Sequence, residues 1–70
     1  MNGAEFLKKI RAAGKSAGVA VRFDPKRGSG SHGTLYHGDR FTILKDRRKE
    51  TVPGLLNRML SDLGLGKSDI

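Results

Sequence analysis

The segment GTLYHGDRFTIL, residues 33–44, decides the fold of this chain. Apolar and polar residues alternate on both sides of Gly38-Asp39, which is the period-two pattern of half-buried strands. A two-residue loop with glycine in its first position favours a type II′ turn. The segment therefore predicts a β-hairpin with strands at residues 33–37 and 40–44.

Pairing across this turn divides the hairpin into two faces. On one face Tyr36 is opposite Phe41 and Thr34 is opposite Ile43. The other face carries Leu35, His37, Arg40, Thr42 and Leu44. Both faces hold apolar and polar residues, so the alternation alone leaves open which of them meets the helices.

Upstream of the hairpin, the pattern predicts a helix and then a further strand. Asn2 with Glu5 three residues later has capping-box spacing, and Phe6, Leu7 and Ile10 begin one apolar stripe. We expect a helix over residues 4–13, ended by Gly14. Val19, Val21 and Phe23 then alternate with other residues up to Pro25, which predicts a strand over residues 19–24.

Downstream, a second helix is expected to start near Thr51 or Val52, with Pro53 in its first turn. It ends at Gly64, and residues 66–70 are expected to form a loose tail. Its apolar face carries Leu55, Leu56, Met59, Leu60 and Leu63. The predicted class is α+β in the order α-β-β-β-α, a single domain with a three-stranded antiparallel sheet and both helices on one face.

Composition excludes several classes of protein. Seventy residues suffice for one domain, and without cysteine there is neither a disulfide scaffold nor a thiolate metal site. No apolar run approaches the roughly 20 residues of a membrane span, so no membrane partner is expected. The first residues lack the layout of a signal peptide, and a cytoplasmic location is expected by default.

The charge of the chain points to a polyanionic partner. Fourteen Lys and Arg against seven Asp and Glu give a net charge of +7, which attracts nucleic acids and makes their binding salt-dependent. The cations cluster in the segments KRGSGS, residues 26–31, and KDRRKE, residues 45–50. The simpler alternative is a soluble surface rich in lysine and arginine.

Few residues are suited to chemistry. His37 and Asp39 flank a tight turn, where a solvated pair is a better interpretation than two metal ligands, and we predict no metal or cofactor. The glycine-rich segment lacks the lysine and the following helix of a P-loop. The backbone amides of Gly30 and Ser31 are candidate phosphate contacts, although a plain flexible loop explains the same residues.

His32 is the strongest candidate for a catalytic residue, because it sits among small residues where the loop meets a strand. Histidine can take and give a proton near neutral pH, so it could deprotonate a ribose 2′-hydroxyl that attacks the adjacent phosphate. A surface histidine or a simple phosphate donor is the alternative. Cations expected to bind and stabilise the phosphate are Arg22, Lys26, Arg27, Lys45, Arg47 and Arg48.

Three features follow one another along the chain, namely the triplet Gly30-Ser31-His32, the hairpin after it, and the segment PGLLNRMLSDLGL at residues 53–65. With these features nearly the whole chain resembles the HicA family of small toxins. The resemblance implies a fold like that of double-stranded-RNA-binding domains, ribosome-independent cleavage of messenger RNA, and neutralisation by a HicB-like antitoxin. The catalytic histidine of the family corresponds to His32.

The resemblance also bears on the two faces of the hairpin. If His32 continues the strand, it shares a face with Thr34 and Tyr36, which would then meet RNA. We therefore favour Leu35, Thr42 and Leu44 as the buried set, unless a bulge at Gly33 reverses the alternation. Tyr36 could stack on a base, although a cross-strand pair with Phe41 explains it equally well.

The chain departs from the family pattern in three places. Gly33 stands where a polar or basic residue often follows the histidine, and Leu44-Lys45 stands where Val-Pro is common. Residues 15–18 replace an aromatic often found after the first helix. These departures bear on substrate preference and antitoxin pairing more than on the fold or on His32. Two other functions also stay open, namely a non-catalytic RNA-binding module and a small protein-interaction partner.

Overall fold

The computed structural model describes residues 1–25, 32–45 and 49–70. Its elements are α1 (Gly3–Ala17), β1 (Val21–Pro25), β2 (Gly33–His37), β3 (Arg40–Leu44), α2 (Pro53–Asp62) and a 3-10 turn (Lys67–Asp69). The strands form one antiparallel sheet in the order β1-β2-β3. The α+β class and the α-β-β-β-α order predicted from the sequence are confirmed.

The hairpin has the predicted register. Tyr36 pairs with Phe41 and Thr34 with Ile43, and the strands are joined by Gly38-Asp39. Gly38 has a φ of 64° whereas Asp39 has no positive φ, a combination that fits a type II′ turn and excludes type I′. The Gly38 N–H also donates to the Ala20 carbonyl at 2.8 Å, which ties the turn to the start of β1.

Both helices cover the same face of the sheet. Leu35 is fully buried, Leu44 is 1% exposed and Thr42 is 4% exposed, so the buried set favoured from the sequence is confirmed. Buried side chains of the helices complete the core, namely Phe6 and Ile10 of α1 and Met59 and Leu60 of α2, with Leu63 at the end of α2.

The first helix is longer than predicted, because Gly14 does not end it. α1 continues to Ala17, and Gly18 adopts the left-handed conformation with a φ of 70°. The Val19 N–H donates to the Gly14 carbonyl at 2.8 Å, which closes the helix and delays the start of β1 from Val19 to Val21. The prediction misread Gly14 because its function is close packing rather than helix termination.

Gly14 is where α1 approaches β1 most closely. A β-carbon at this position would lie 2.3 Å from Val21 Cγ2 and 2.8 Å from the Val19 carbonyl oxygen. We therefore expect Gly14→Ala to destabilise the fold by about 1–3 kcal/mol despite the better helix propensity of alanine. Urea unfolding measures the change.

The matched control for this prediction is Gly54→Ala in α2. A β-carbon there would meet no atom within 4 Å, and Gly54 does not have a positive φ. Stability should stay unchanged or rise by up to about 1 kcal/mol. Equal effects of the two substitutions would contradict the close helix–strand contact.

The second helix ends as expected, and the residues beyond it are ordered into a turn. The Leu65 N–H donates to the Leu60 carbonyl at 2.8 Å, and Gly64 takes a φ of 72°. The segment expected to be a loose tail forms the 3-10 turn, and Ile70 packs against the core. Within the described ranges, no helix has the length and apolar character needed to cross a bilayer.

Candidate nucleic-acid interface

The face of the sheet that points away from the helices carries the candidate site. We call it the open face, and on the strands it consists of Arg22, Asp24, Thr34, Tyr36, Phe41 and Ile43. Phe41 is 57% exposed and Ile43 is 50% exposed, although both are large apolar side chains. These exposures mean that the strands present an apolar and aromatic surface to the solvent.

A cation and two aromatic rings form one row across the open face, at the end near the hairpin turn. Arg22, Tyr36 and Phe41 are successive partners in the register of β1, β2 and β3. The Arg22 guanidinium carbon lies 4.4 Å from the centre of the Tyr36 ring. The Tyr36 and Phe41 ring centres are 6.2 Å apart, with the planes tilted by 46°. Each contact orders its neighbour, so the row holds a positive charge beside two ordered rings.

His32 is exposed and immediately precedes β2. Gly33 pairs with both Pro25 and Leu44, so the ladder reaches this residue with no bulge, and the alternation that places Tyr36 on the open face is kept. If the alternation of β2 is extended by one residue beyond Gly33, His32 is assigned to the open face. The same extension of the register beyond the Gly33–Leu44 pair puts Lys45 opposite His32. Lys45 is also exposed.

The glycine beside His32 is required by packing. A β-carbon on Gly33 would lie 2.4 Å from Phe23 Cζ and 2.7 Å from the Asp24 carbonyl oxygen. Gly33 is buried, on the helix side of the sheet. The departure from the HicA pattern at this position therefore has a local cause, namely the Phe23 ring that occupies the space a side chain would need.

The histidine and the aromatic row stand at opposite ends of the open face. His32 and Tyr36 are four residues apart on one strand, a separation of about 13 Å. Asp24, Thr34 and Ile43 form the row between the two ends. The alternation thus assigns a histidine to one end of the open face, with Lys45 opposite it, whereas the other end holds two aromatic rings and Arg22.

Only part of the predicted phosphate-binding set can be placed. Arg22 lies on the aromatic row, away from His32, and Lys45 directly follows Leu44, the last residue of β3. The remaining candidates lie outside the described residues, namely Lys26, Arg27, Gly30, Ser31, Arg47 and Arg48. Of the described candidates, only Lys45 is assigned to the same end of the open face as His32, by extending the register one residue beyond Gly33 and Leu44.

His37 is not the solvated surface histidine expected from its position beside the turn. It shares the helix side of the sheet with Leu35, and its Nε2 atom is buried with no hydrogen-bond partner. It lines a hollow with Ala13, Leu65 and Ile70, on the side of the sheet opposite the open face. Strand alternation, rather than proximity to the turn, decides its burial. Among the residues that the structure describes, no three His, Asp or Glu side chains cluster as metal ligands would.

Phe41 and Ile43 are the candidate binding residues that sequence analysis missed. Their signal was present, because a core built on Leu35 and Leu44 places both of them on the opposite face. Exposed apolar side chains on adjacent strand positions are unusual enough to suggest a binding surface. In the sequence they served only to set the hairpin register, with Phe41 opposite Tyr36 and Ile43 opposite Thr34.

A scan of protein-family models and searches of curated proteins and of solved structures each found no match for this chain. The resemblance to HicA toxins therefore rests on the sequence motifs alone. The geometry of the open face is what the structure adds.

Proposed function

We propose that this protein is an endoribonuclease toxin of the HicA kind, acting in the cytoplasm on messenger RNA. The observation that carries the proposal is the position of His32, exposed at the start of the central strand and assigned by alternation to the open face. An RNA chain laid along this face would bring its ribose and phosphate groups to the imidazole without crossing either helix.

The chemistry is a transesterification within the RNA. His32 takes the proton of a ribose 2′-hydroxyl, and the 2′-oxygen forms a bond to the adjacent phosphorus. The bond from phosphorus to the 5′-oxygen breaks, and that oxygen takes up a proton as it leaves. The products are a 2′,3′-cyclic phosphate and a 5′-hydroxyl.

Cations stabilise the negative charge that builds on the phosphoryl oxygens in the transition state. Lys45 is the described cation closest to His32 in the register. Lys26, Arg27, Arg47 and Arg48 are proposed to share this function, with the amides of Gly30 and Ser31 as further phosphate donors. The net charge of +7 supports binding of the polyanion as a whole.

The same charge suits the second proposed partner, a HicB-like antitoxin. An acidic protein that covers His32 and the cations around it would block RNA and gain affinity from opposite charge. The proposal of a toxin–antitoxin pair rests on the resemblance to HicA, whereas the proposal of RNA cleavage also has the position of His32 in its support.

End mapping of cleaved RNA tests the proposal. Purified protein is incubated in EDTA with a long RNA, because proton transfer by histidine requires no metal ion. We expect fragments with 2′,3′-cyclic phosphate ends and with 5′-hydroxyl ends that polynucleotide kinase labels directly. A DNA strand of the same sequence, which lacks the 2′-hydroxyl, should stay intact.

Two results would contradict the proposal. Fragments with 5′-phosphate ends would show a different reaction, one in which the 2′-hydroxyl does not attack. RNA that is bound but never cut would indicate a non-catalytic binding module on the same fold, since backbone and shape recognition need no proton-transfer group.

A further inference from the structure

We infer that the aromatic row of the open face, Arg22, Tyr36 and Phe41, binds unpaired bases of single-stranded RNA by stacking. This inference rests on the proposed function and names the form of RNA that the site takes. The rings lie on the same face to which His32 is assigned. An RNA strand that stacks on the rings would therefore continue along the sheet toward His32.

The Phe41 ring is exposed in a way that packing within the domain does not explain, and the Tyr36 ring beside it is half-buried. Phe41 is 57% exposed, and its ring lies beside Tyr36 at a centroid distance of 6.2 Å. Neither residue contributes to the buried core, which lies on the other side of the sheet. Base stacking on such rings is the common means by which β-sheet surfaces hold single strands without a fixed sequence.

The charge of the row favours a nucleic acid over a second apolar surface. Arg22 holds its guanidinium 4.4 Å from the centre of the Tyr36 ring, so a positive charge lies in the same row as the exposed Phe41 ring. A purely apolar partner would have to bury this charge at a cost. A polyanion instead pairs with it, and the net charge of +7 adds to the attraction.

The geometry also selects single strands over duplex. A base must leave its own helix to lie flat on a protein ring, and bases in a duplex are already stacked on each other. The span of about 13 Å from the row to His32 equals about four stacked nucleotides. The inference therefore places an unpaired base a few nucleotides from the bond that is cut.

Binding of uncleavable RNA tests the inference independently of catalysis. The probes are a fluorescein-labelled 2′-O-methyl oligonucleotide of 12 nucleotides without self-complementarity, and the same strand paired with its complement. Fluorescence anisotropy gives each Kd. We expect Phe41→Ala to weaken binding of the single strand about 5- to 100-fold and binding of the duplex less than about 2-fold.

Val52→Ala is the matched control, because Val52 is 64% exposed but belongs to the residues before α2 rather than to the open face. It should leave both Kd values within about 2-fold of wild type. Phe41→Leu keeps the apolar bulk without the ring, and it should show the loss as well. Urea unfolding of each variant verifies that the fold is intact.

The outcomes separate this inference from the proposed function. If the protein cuts RNA but Phe41→Ala and Phe41→Leu bind the single strand as tightly as wild type does, the stacking inference is wrong and the proposed nuclease function is retained. If stacking depends on Phe41 but nothing is cut, the inference stands and the nuclease is wrong. Sedimentation showing a dimer that Phe41→Ala disrupts, with RNA binding unchanged, would identify the row as a contact between copies and overturn the inference.

Discussion

His32→Ala is expected to slow RNA cleavage by about 100- to 10,000-fold, the usual contribution of a general base. RNA affinity should change little, because Lys45, Arg22 and the aromatic row are untouched. Stability should also stay near wild type, since His32 is exposed and precedes the first pair of β2. Single-turnover experiments measure the cleavage rate, and fluorescence anisotropy with the uncleavable 2′-O-methyl strand measures the RNA affinity.

A substrate with a sulfur atom in place of the leaving 5′-oxygen distinguishes a base from an acid. Sulfur leaves without being protonated, so it restores the rate when a general acid has been removed. If His32 is the base, the loss in His32→Ala persists with this substrate. Recovery to the wild-type rate would instead make His32 the acid and contradict its assignment as the base.

The second histidine supplies the control. His37 faces the helices, and its Nε2 atom is buried without a hydrogen-bond partner, so it cannot reach RNA on the open face. His37→Leu should therefore keep the cleavage rate within a few-fold of wild type. An equal loss of cleavage rate in both histidine variants would mean that the slower cleavage is caused by damage to the fold rather than by loss of proton transfer.

Leu35→Ala is expected to cause the largest loss of stability, about 2–5 kcal/mol. Leu35 is fully buried in the central strand, between Phe23 on β1 and Thr42 on β3. A domain of this length is stable by only about 4–10 kcal/mol, so this loss removes a large share of the free energy of unfolding and should lower the urea and thermal midpoints sharply. Urea and thermal unfolding by circular dichroism measure the loss.

Ile43→Ala is the matched substitution on the other face. Ile43 is 50% exposed on the adjacent strand, so its removal should cost no more than about 1 kcal/mol, mainly through strand propensity. Similar losses in Leu35→Ala and Ile43→Ala would contradict the assignment of the two faces. The assignment of His32 to the open face would then be wrong as well, because it follows from the same alternation of residues along the strands.

Local patterns in the sequence were enough to predict most elements. The alternation around Gly38-Asp39 predicted β2, β3 and their register, and the apolar stripes predicted both helices. Those patterns succeed because strand and helix periodicities depend on residues close in the chain. The end of α1 was predicted wrongly, since Gly14 and Gly18 both look like helix stops and only contact with Val21 separates them.

The candidate site was predicted in part. His32 was identified by residue type and by resemblance, and the structure describes it as exposed. Phe41 and Ile43 were placed on the side of the hairpin that would meet RNA but were not named as binding residues, and the extent of their exposure depends on where the helices pack. The burial of the His37 Nε2 atom was missed, because it too depends on where the helices pack.

The sequence by itself determined the order of the elements, the hairpin register, the basic charge and the presence of one candidate base, all of which depend on neighbours in the chain. Only the tertiary structure decided which face of the sheet the helices cover. Both faces hold comparable apolar residues, so that choice depends on how Phe6, Ile10 and Met59 pack against Leu35 and Leu44 over long separations in sequence. This packing leaves Phe41 exposed and Tyr36 half-buried beside it, on the face assigned to His32.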